Sequence, residues 1–417
     1  MDKNNRYKIG IGVADITPPN GISMPSQGSP DILAKGAYMP LTARVMTIDD
    51  GENQVAFISG ELLYWGDENI ERMREMLHEQ YGLTADKLVF NTTHTHNVPA
   101  PDPELEIYED IIKKTVELIA RTFSEAKDAE LYFGKGKASI SVNRRGKNRD
   151  GYAKWSINPY GPIDEDVLVV KAVDETGKTM AILFNHACHP TTIRCPYYGG
   201  DFIGYAMAQI EQEYDGAIAL FMQGAAGEIK GWNENQDKPY SFTFEGGLDR
   251  VKQFGRELAL SVQEVLENPM AKIQGSIDTK IDTVQLPVLN EMFDEKGNAP
   301  FKGPMRRMAR LAKLTLESMD ENGNYRQTKP CEVQVVSIGP EFLFIGMNGE
   351  ICVDIGLRIK AQLIERPVMV CGYTNLNAGY IPSMSLIPEK GYEASRVPYS
   401  LEMEDFLVGK AMELVEQ

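Results

Sequence analysis

The sequence predicts an α/β fold in which helices are layered on a mixed β-sheet. Two observations carry this prediction. Short apolar, β-branched runs alternate with longer amphipathic runs along all 417 residues, without internal repeats or low-complexity tracts. In addition, several junctions between a strand-like and a helix-like run carry unusual polar residues, and open α/β sheets place their sites at such junctions.

The predicted strands are short runs rich in valine, isoleucine and phenylalanine. In chain order they are Lys8–Val13, Val55–Ser59, Leu88–Asn91, Val167–Val173, Ala181–Asn185, Ala217–Met222, Val333–Ile338, Phe342–Ile345 and Val368–Gly372.

The predicted helices are longer runs whose apolar residues recur every three or four positions. They are Asn69–Tyr81, Leu105–Phe123, Gly204–Glu213, Leu248–Leu266, Met305–Met319, Val353–Ile364 and Leu401–Val415. In the second of these, Ile112, Val116 and Ile119 form one apolar stripe, whereas Lys113 and Asp110 belong to the opposite face. This spacing is typical of a helix that packs one face on a sheet.

Composition and charge exclude several classes of protein. Hydrophobic residues make up 42% and charged residues 25% of the chain, as in ordinary globular proteins. The formal net charge of −17 argues against nucleic acid and anionic membrane surfaces as main partners, because both require basic patches. No apolar run approaches the roughly 20 residues of a membrane helix. We therefore expect a small-molecule substrate and no integral membrane association, and a homo-oligomer remains open.

Cysteine usage and the N-terminus favour a cytoplasmic location. The first residues show no apolar signal core. The five cysteines are widely spaced along the chain, so reduced thiols are the simplest interpretation.

Four of the five histidines fall into two tight groups. His94 and His96 follow the strand Leu88–Asn91, and His186 and His189 follow the strand Ala181–Asn185. In an extended segment, residues i and i+2 point the same way, so His94 and His96 can reach one site. A lone histidine in a strand is usually a core residue, but two groups at strand ends favour a shared metal site, since imidazole is the commonest metal ligand and suits zinc.

A catalytic zinc site needs a carboxylate in addition to histidines. Four carboxylates at strand ends are candidates, and the pattern alone does not choose among Glu61, Asp201, Glu228 and Glu350.

Taken together, these residues resemble the neutral ceramidase family of zinc amidases. The similarity keeps its order along nearly the whole chain, through the segments Gly12–Pro19, Thr93–His96, Asn143–Arg144, His189–Thr191, Gln223–Gly227, Gly349–Glu350, Gly379–Tyr380 and Gly391–Ser395. The resemblance implies one catalytic domain over residues 1–417. It also indicates that the immunoglobulin-like domain of the larger ceramidases is absent.

The resemblance further implies roles for individual residues. The zinc ligands would be His94, His189, Glu350 and Tyr380. The catalytic residues would be His96 as general acid and base, Tyr392 for the oxyanion, and Arg144 for a polar or anionic substrate group. Further candidates for substrate contact are Gln223, within a matching segment, and Arg145, which could exchange roles with Arg144. Lys230 is also a candidate, at a position where the chain departs from the family.

One position departs from the family pattern. Where the ceramidases carry a serine after the glycine-rich segment, this chain has Lys230 within Glu228-Ile229-Lys230-Gly231. A mechanism that depends on that serine is therefore not expected. A lysine adds a donor for a carboxylate, hydroxyl or phosphate group of the substrate, and a solvated loop lysine is the alternative interpretation.

The functional prediction is a zinc-dependent hydrolase that cleaves the C–N amide bond of a small polar N-acyl substrate rather than ceramide. In this reaction a metal-activated water attacks the carbonyl. Two alternatives stay open: a metal-dependent lyase, isomerase or glycoside-processing enzyme acting on a sugar-like or polyol substrate, and a non-catalytic metal-supported binding protein.

Overall fold

The fold contains eighteen strands among the residues that the computed structural model describes, which are 6–101, 106–244, 246–289, 304–396 and 399–417. The strands are β1 (Tyr7–Asp15), β2 (Thr42–Asp49), β3 (Gln54–Gly60), β4 (Leu88–Thr92), β5 (Lys127–Lys137), β6 (Ser141–Lys147), β7 (Ala153–Asn158), β8 (Asp166–Asp174), β9 (Thr179–His186), β10 (Ile218–Gln223), β11 (Ile229–Gly231), β12 (Ala271–Lys272), β13 (Ile277–Pro287), β14 (Thr328–Ile338), β15 (Phe342–Met347), β16 (Glu350–Ile351), β17 (Val368–Cys371) and β18 (Tyr380–Ile381).

The same residues form eight α-helices. They are α1 (Asp67–Tyr81), α2 (Glu106–Ser124), α3 (Asp201–Glu213), α4 (Gly247–Glu267), α5 (Pro304–Glu317), α6 (Val353–Gln362), α7 (Tyr392–Arg396) and α8 (Met403–Glu416). All seven predicted helices are present within a few residues of their predicted ends, apart from Leu105, which lies outside the described residues. The short helix α7 was not predicted. None of the described helices is both long enough and apolar enough to cross a bilayer.

A nine-stranded mixed sheet forms the first layer of strands. Its order is β10-β9-β8-β5-β1-β2-β3-β4, with β12 added beside β5. The pairs β9–β10 and β3–β4 are parallel, and the other pairs are antiparallel. Sequence analysis missed β5, because the apolar positions of Lys127–Lys137 alternate with lysine, glutamate and glycine instead of forming a continuous apolar run.

A second sheet packs against the inner face of the first. It has the order β13-β14-β15-β17, with only the β15–β17 pair parallel. Apolar residues of both sheets form one buried cluster between them. At its centre the Phe57 ring makes edge contacts with the rings of Phe342 and Phe344, at centroid distances of 6.2 and 5.4 Å. The prediction of a layered α/β fold is confirmed, but the strands form two facing sheets and two smaller ones.

Helices cover the outer faces of both sheets. Helices α1 and α2 close an apolar cluster over β2, β3 and β4, and α3 and α4 close another over β8, β9 and β10. Helices α6 and α8 pack on the second sheet. The predicted stripe of α2 is buried as expected, including Ile112, Val116 and Ile119.

The nine-stranded sheet bends until its two outermost strands meet. The backbone N–H of Gln223, in β10, donates to Oδ1 of Asn91, in β4, at 2.7 Å. In addition, the Ser59 hydroxyl, in β3, donates to the carbonyl of Phe221, in β10, at 2.5 Å. This closure brings the residues that follow β4 next to those that follow β9 and β10.

We predict that Phe57→Ala lowers the free energy of unfolding by about 3–5 kcal/mol, because it removes a buried ring from the layer between the two sheets. Leu260→Ala is the matched control, since Leu260 is 48% exposed and its truncation changes stability by only about 0.5 kcal/mol. Urea denaturation followed by circular dichroism measures both values. Equal losses in the two variants would contradict the assignment of Phe57 to the main core.

Candidate metal centre and pocket

Three histidines meet where the bent sheet closes. His94 and His96 follow β4, and His189 follows β9. One ring nitrogen from each of the three lies within 4.8 Å of the others, and no other such group of three or more His, Cys, Asp or Glu residues occurs in the described part of the chain. His94 adopts a left-handed backbone conformation with φ of 63°, which is uncommon outside glycine and occurs mainly where surrounding structure enforces it.

Backbone carbonyls fix the orientation of two of these rings. Nδ1 of His94 lies 2.9 Å from the carbonyl oxygen of Leu63, and Nδ1 of His189 lies 2.6 Å from that of Ala226. A carbonyl oxygen only accepts, so each Nδ1 carries a proton, and in a neutral ring Nε2 then presents a lone pair. Burial lowers the pKa of His189 to about 4, which keeps this ring neutral near pH 7.

The carboxylate of Glu350 lies between these two lone pairs. Its Oε2 is 2.9 Å from Nε2 of His189 and 3.4 Å from Nε2 of His94, while Oε1 accepts a hydrogen bond of 2.5 Å from the Tyr64 hydroxyl. With neutral rings this oxygen faces two lone pairs, and a cation bound among them, or a proton on one Nε2, offsets the repulsion. The donor set of two imidazoles and one carboxylate suits a divalent transition metal such as zinc.

His96 is the third histidine of this group. Its Nδ1 lies 3.4 Å from the carbonyl oxygen of Ser26, and its Nε2 is buried without a hydrogen-bond partner among the described residues. Burial lowers the pKa of this imidazole well below its usual value. A neutral, unpartnered Nε2 at this position can bind a metal or exchange a proton with a bound molecule.

Tyr380 reaches the centre through the pairing of two short strands. Residue 380 in β18 pairs with Glu350 in β16, and the backbone N–H of Glu350 donates to the carbonyl of Gly379 at 2.8 Å. Gly349 makes this approach feasible, because its φ is 74° and a Cβ there would lie 2.3 Å from the Gly379 oxygen. The strand pairing thus sets Tyr380 beside the proposed carboxylate ligand.

Arg144 is buried beside Tyr380 and forms an ion pair with Glu393. Its Nη2 donates to the Tyr380 hydroxyl at 3.1 Å, its Nε donates to Glu393 at 2.9 Å, and its guanidinium lies 4.6 Å from the Trp155 ring centroid. Arg145 donates to the other oxygen of Glu393 at 2.5 Å. The two arginines therefore share one carboxylate.

A cavity of about 720 Å³ opens above the histidines. Of the predicted site residues it is lined by His94, His96, Arg144, His189, Lys230, Glu350, Tyr380 and Tyr392. The Tyr392 ring lies 5.4 Å from that of Tyr380 and is 41% exposed. The size is in the range typical of small-molecule sites.

Lys230 lines the same cavity although its side chain is almost fully buried. The ammonium donates to the hydroxyl of Thr191 at 2.8 Å and also to the carbonyl of that residue. Burial lowers the pKa of Lys230 to about 8, so the ammonium is still mostly charged at pH 7. The interpretation of Lys230 as a solvated loop residue is wrong, since only 1% of it is exposed.

Two of the predicted substrate contacts do not line the cavity. Gln223 is buried, and its amide donates to the carbonyls of Thr93 and Cys188 at 3.1 and 3.0 Å. The Arg145 guanidinium is occupied by Glu393 and by the carbonyls of Leu386 and Lys390. The Gln223 amide and the terminal nitrogens of Arg145 donate to protein groups, so the geometry gives both side chains a structural role.

The other three carboxylate candidates lie away from the metal centre and have other partners. Glu61 accepts from the backbone N–H and hydroxyl of Thr42, Asp201 from the N–H groups of Thr192 and Phe202, and Glu228 from the N–H of Val353.

Sequence analysis missed three residues around the site. Tyr64 donates to Glu350, the Tyr373 ring lies 4.5 Å from the His94 ring, and Glu393 holds Arg144. None of the three stands in a cluster of metal-ligand residues. Glu393 does lie within the segment Gly391–Ser395, so a pairing with the two adjacent arginines could have been proposed for it.

The comparisons with known proteins support the resemblance to neutral ceramidases. No family model matches the chain. The chain is 23% identical over 241 residues to neutral ceramidase A of Dictyostelium discoideum, which is 53% of this chain and 34% of that protein. The neutral ceramidase of Drosophila pseudoobscura pseudoobscura is likewise 23% identical, over 50% of this chain and 32% of the relative. The chain thus matches about a third of the length of these curated relatives.

Solved structures extend the similarity to the whole chain. The crystal structure of neutral ceramidase from Pseudomonas aeruginosa superposes with a TM-score of 0.76 and 20% sequence identity, over 100% of this chain and 75% of that one. A ceramidase complexed with C2 gives a TM-score of 0.74 at 19% identity, over 99% of this chain and 76% of that one. The fold is therefore neutral ceramidase-like.

We predict that purified protein reconstituted with zinc binds about one equivalent, and that His189→Ala and Glu350→Gln each lower this occupancy at least tenfold, because each removes a donor from the centre. His78→Ala is the control, since His78 lies on the separate helix α1. Inductively coupled plasma mass spectrometry after gel filtration measures the metal content. Full occupancy in both site variants would contradict the assigned ligands.

Proposed function

We propose that the protein is a zinc-dependent hydrolase that cleaves the C–N amide bond of a small polar N-acyl substrate. The observation that carries this proposal is the convergence of three imidazoles and one carboxylate on a cavity of about 720 Å³, in a chain with a neutral ceramidase-like fold.

The residues present fit a catalytic zinc. His94, His189 and Glu350 would hold it, and Tyr380 would be a further ligand from the adjacent strand. A zinc ion bound there supplies Lewis acidity, which polarises a carbonyl group and lowers the pKa of a water molecule toward 7.

His96 is the proposed general base and acid. Its Nε2 has no hydrogen-bond partner among the described residues and its ring belongs to the same group of histidines, so it can accept a proton from the attacking water and return it to the leaving nitrogen. The contact of Nδ1 with the Ser26 carbonyl keeps the ring in the tautomer that this role requires.

Tyr392 and Arg144 are the proposed groups that face the substrate carbonyl and its polar substituents. Tyr392 stands at the mouth of the cavity against Trp155 and Tyr380, with the Trp155 ring 5.6 Å away. Arg144 donates to the Tyr380 hydroxyl, and this contact favours negative charge at that oxygen. Donors fixed in a buried site stabilise a developing oxyanion more strongly than water does.

The cavity wall combines cationic and aromatic side chains with few aliphatic ones. Trp155 and Phe244 line it, whereas Leu63 and Ile193 are the only leucine, isoleucine or valine side chains in the described wall. A long acyl chain laid along this wall would bury Lys230 and Arg194 without supplying them a polar partner, which is costly. Ceramide is therefore not the proposed substrate.

The cellular setting is proposed from the cysteines. All five are free thiols, four of them buried, as expected in a reducing cytoplasm. The organisation of residues 1–417 as one catalytic domain and the oligomeric state stay predictions.

We predict that zinc-loaded protein releases free amine from a panel of short N-acyl amides, and that His96→Ala lowers kcat by about 10²–10⁴-fold while the zinc content is unchanged. Amine release is measured by fluorescamine labelling, with His78→Ala as the matched control. Turnover of sugar or polyol derivatives but of no amide would retire the amidase proposal. Loss of zinc from His96→Ala would instead make His96 a ligand and contradict its role as the acid and base.

A further inference from the structure

The cavity is positively charged although the chain as a whole is strongly acidic. Its described wall carries three cationic side chains, Arg144, Arg194 and Lys230, against the single carboxylate of Glu350. Even with the charge of Glu350 counted, the cations of this wall exceed the carboxylates by two. The net charge of the chain is −17, which makes this local excess of cations a property of the site.

Arg144 already has a charge partner inside the protein. It forms a buried ion pair with Glu393, which Arg145 shares. Lys230 and Arg194 differ, because no carboxylate oxygen lies within 4.0 Å of either in the described structure. Asp201 acts on Lys230 electrostatically, but its own oxygens are occupied by the backbone N–H groups of Thr192 and Phe202.

The Lys230 ammonium has one N–H group that is left for a ligand. It has three N–H groups, and two of them are taken by the carbonyl and the hydroxyl of Thr191. The third has no acceptor among the described residues. Phe244 and Phe242 lie 5.2 and 5.7 Å from the ammonium. Burial of an ammonium is costly without full hydrogen bonding, so a ligand anion would supply what the protein leaves out.

Arg194 adds a second cation beside Lys230. Its guanidinium lies 4.3 Å from the centroid of the same Phe244 ring, and the residue is exposed. Thr191, which holds the lysine, is two residues from His189, and the backbone of Lys230 bridges to His189. The cationic pair is therefore adjacent to the metal centre and lies along one wall of the same cavity.

We propose that the cavity selects N-acyl amides that carry a carboxylate, and that Lys230 and Arg194 bind this carboxylate while the amide lies at the metal centre. This inference rests on the proposed function, and it adds the class of substrate. The carboxylate can belong to the acyl half or to the amine half of the substrate. Lys230 and Arg194 are specificity-determining residues in this scheme, and neither takes part in the transfer of protons.

Two matched substrate pairs test the inference with zinc-loaded full-length protein. The first pair is glutaryl-p-nitroanilide and its methyl ester, in which the carboxylate belongs to the acyl half. The second pair is an N-acetyl amino acid and its methyl ester, in which the carboxylate belongs to the amine half. We expect kcat/KM to favour the acid by at least tenfold in one pair, which identifies the half that carries the charge. Lys230→Met should lower that acid-to-ester ratio at least fivefold, because the ligand loses a charge-assisted hydrogen bond.

Two further variants separate this effect from a folding defect. Arg194 is exposed, so Arg194→Gln should lower the acid-to-ester ratio without disturbing the fold. Lys171→Met is the control and should leave the ratio unchanged. Lys171 also lies near an aromatic ring, 5.6 Å from that of Tyr132, but it is outside the cavity. Amide hydrolysis with no preference for the acid in either pair would overturn the inference and leave the proposed function intact.

A binding measurement covers the case in which no amide is hydrolysed. Isothermal titration calorimetry with glutarate and with glutaramide, on the wild type and on Lys230→Met, reports the anion site without catalysis. Glutarate binding that weakens at least fivefold in Lys230→Met would support the carboxylate site even if the amidase proposal failed. Equal affinity of the two proteins for glutarate would overturn the inference.

Discussion

The contact between the Glu350 carboxylate and the imidazoles of His94 and His189 is the interaction on which the site depends. Backbone carbonyls hold the Nδ1 protons, so both Nε2 lone pairs face an oxygen that also only accepts. A cation bound among them, or a proton on one ring, offsets the repulsion between these electron-rich atoms. The suitability of the site for a cation therefore comes from the hydrogen bonds of the surrounding backbone, which fix the orientation of the rings, as much as from the identity of the ligands.

The bend of the nine-stranded sheet makes this contact geometrically accessible. His94 follows β4, at one end of the strand order, and His189 follows β9, the second strand from the other end, so in a flat sheet they would lie far apart. The hydrogen bonds that join β4 to β10 close the sheet, and the second sheet fills its inner face. The site is thus a property of the closed fold.

The cationic side chains around the cavity are held in two different ways. Arg144 and Arg145 share Glu393 in a buried triad that has an excess positive charge, and this triad sets Arg144 against Tyr380. Lys230 is held instead by the uncharged groups of Thr191, which leaves its charge available. A buried charge that the protein does not pair is expensive, and such groups concentrate at functional sites.

The sequence by itself determined the α/β class, the seven longer helices and the two histidine groups, because periodicity and strand-end position are local properties. It also identified the family resemblance, since the motifs that carry it are short and keep their order. It left open which of Glu61, Asp201, Glu228 and Glu350 faces the histidines, and it gave no indication of Tyr64. Only the tertiary structure decided these points. The choice depends on the closure of the sheet and on the pairing of β16 with β18, and both join residues that are far apart in the chain.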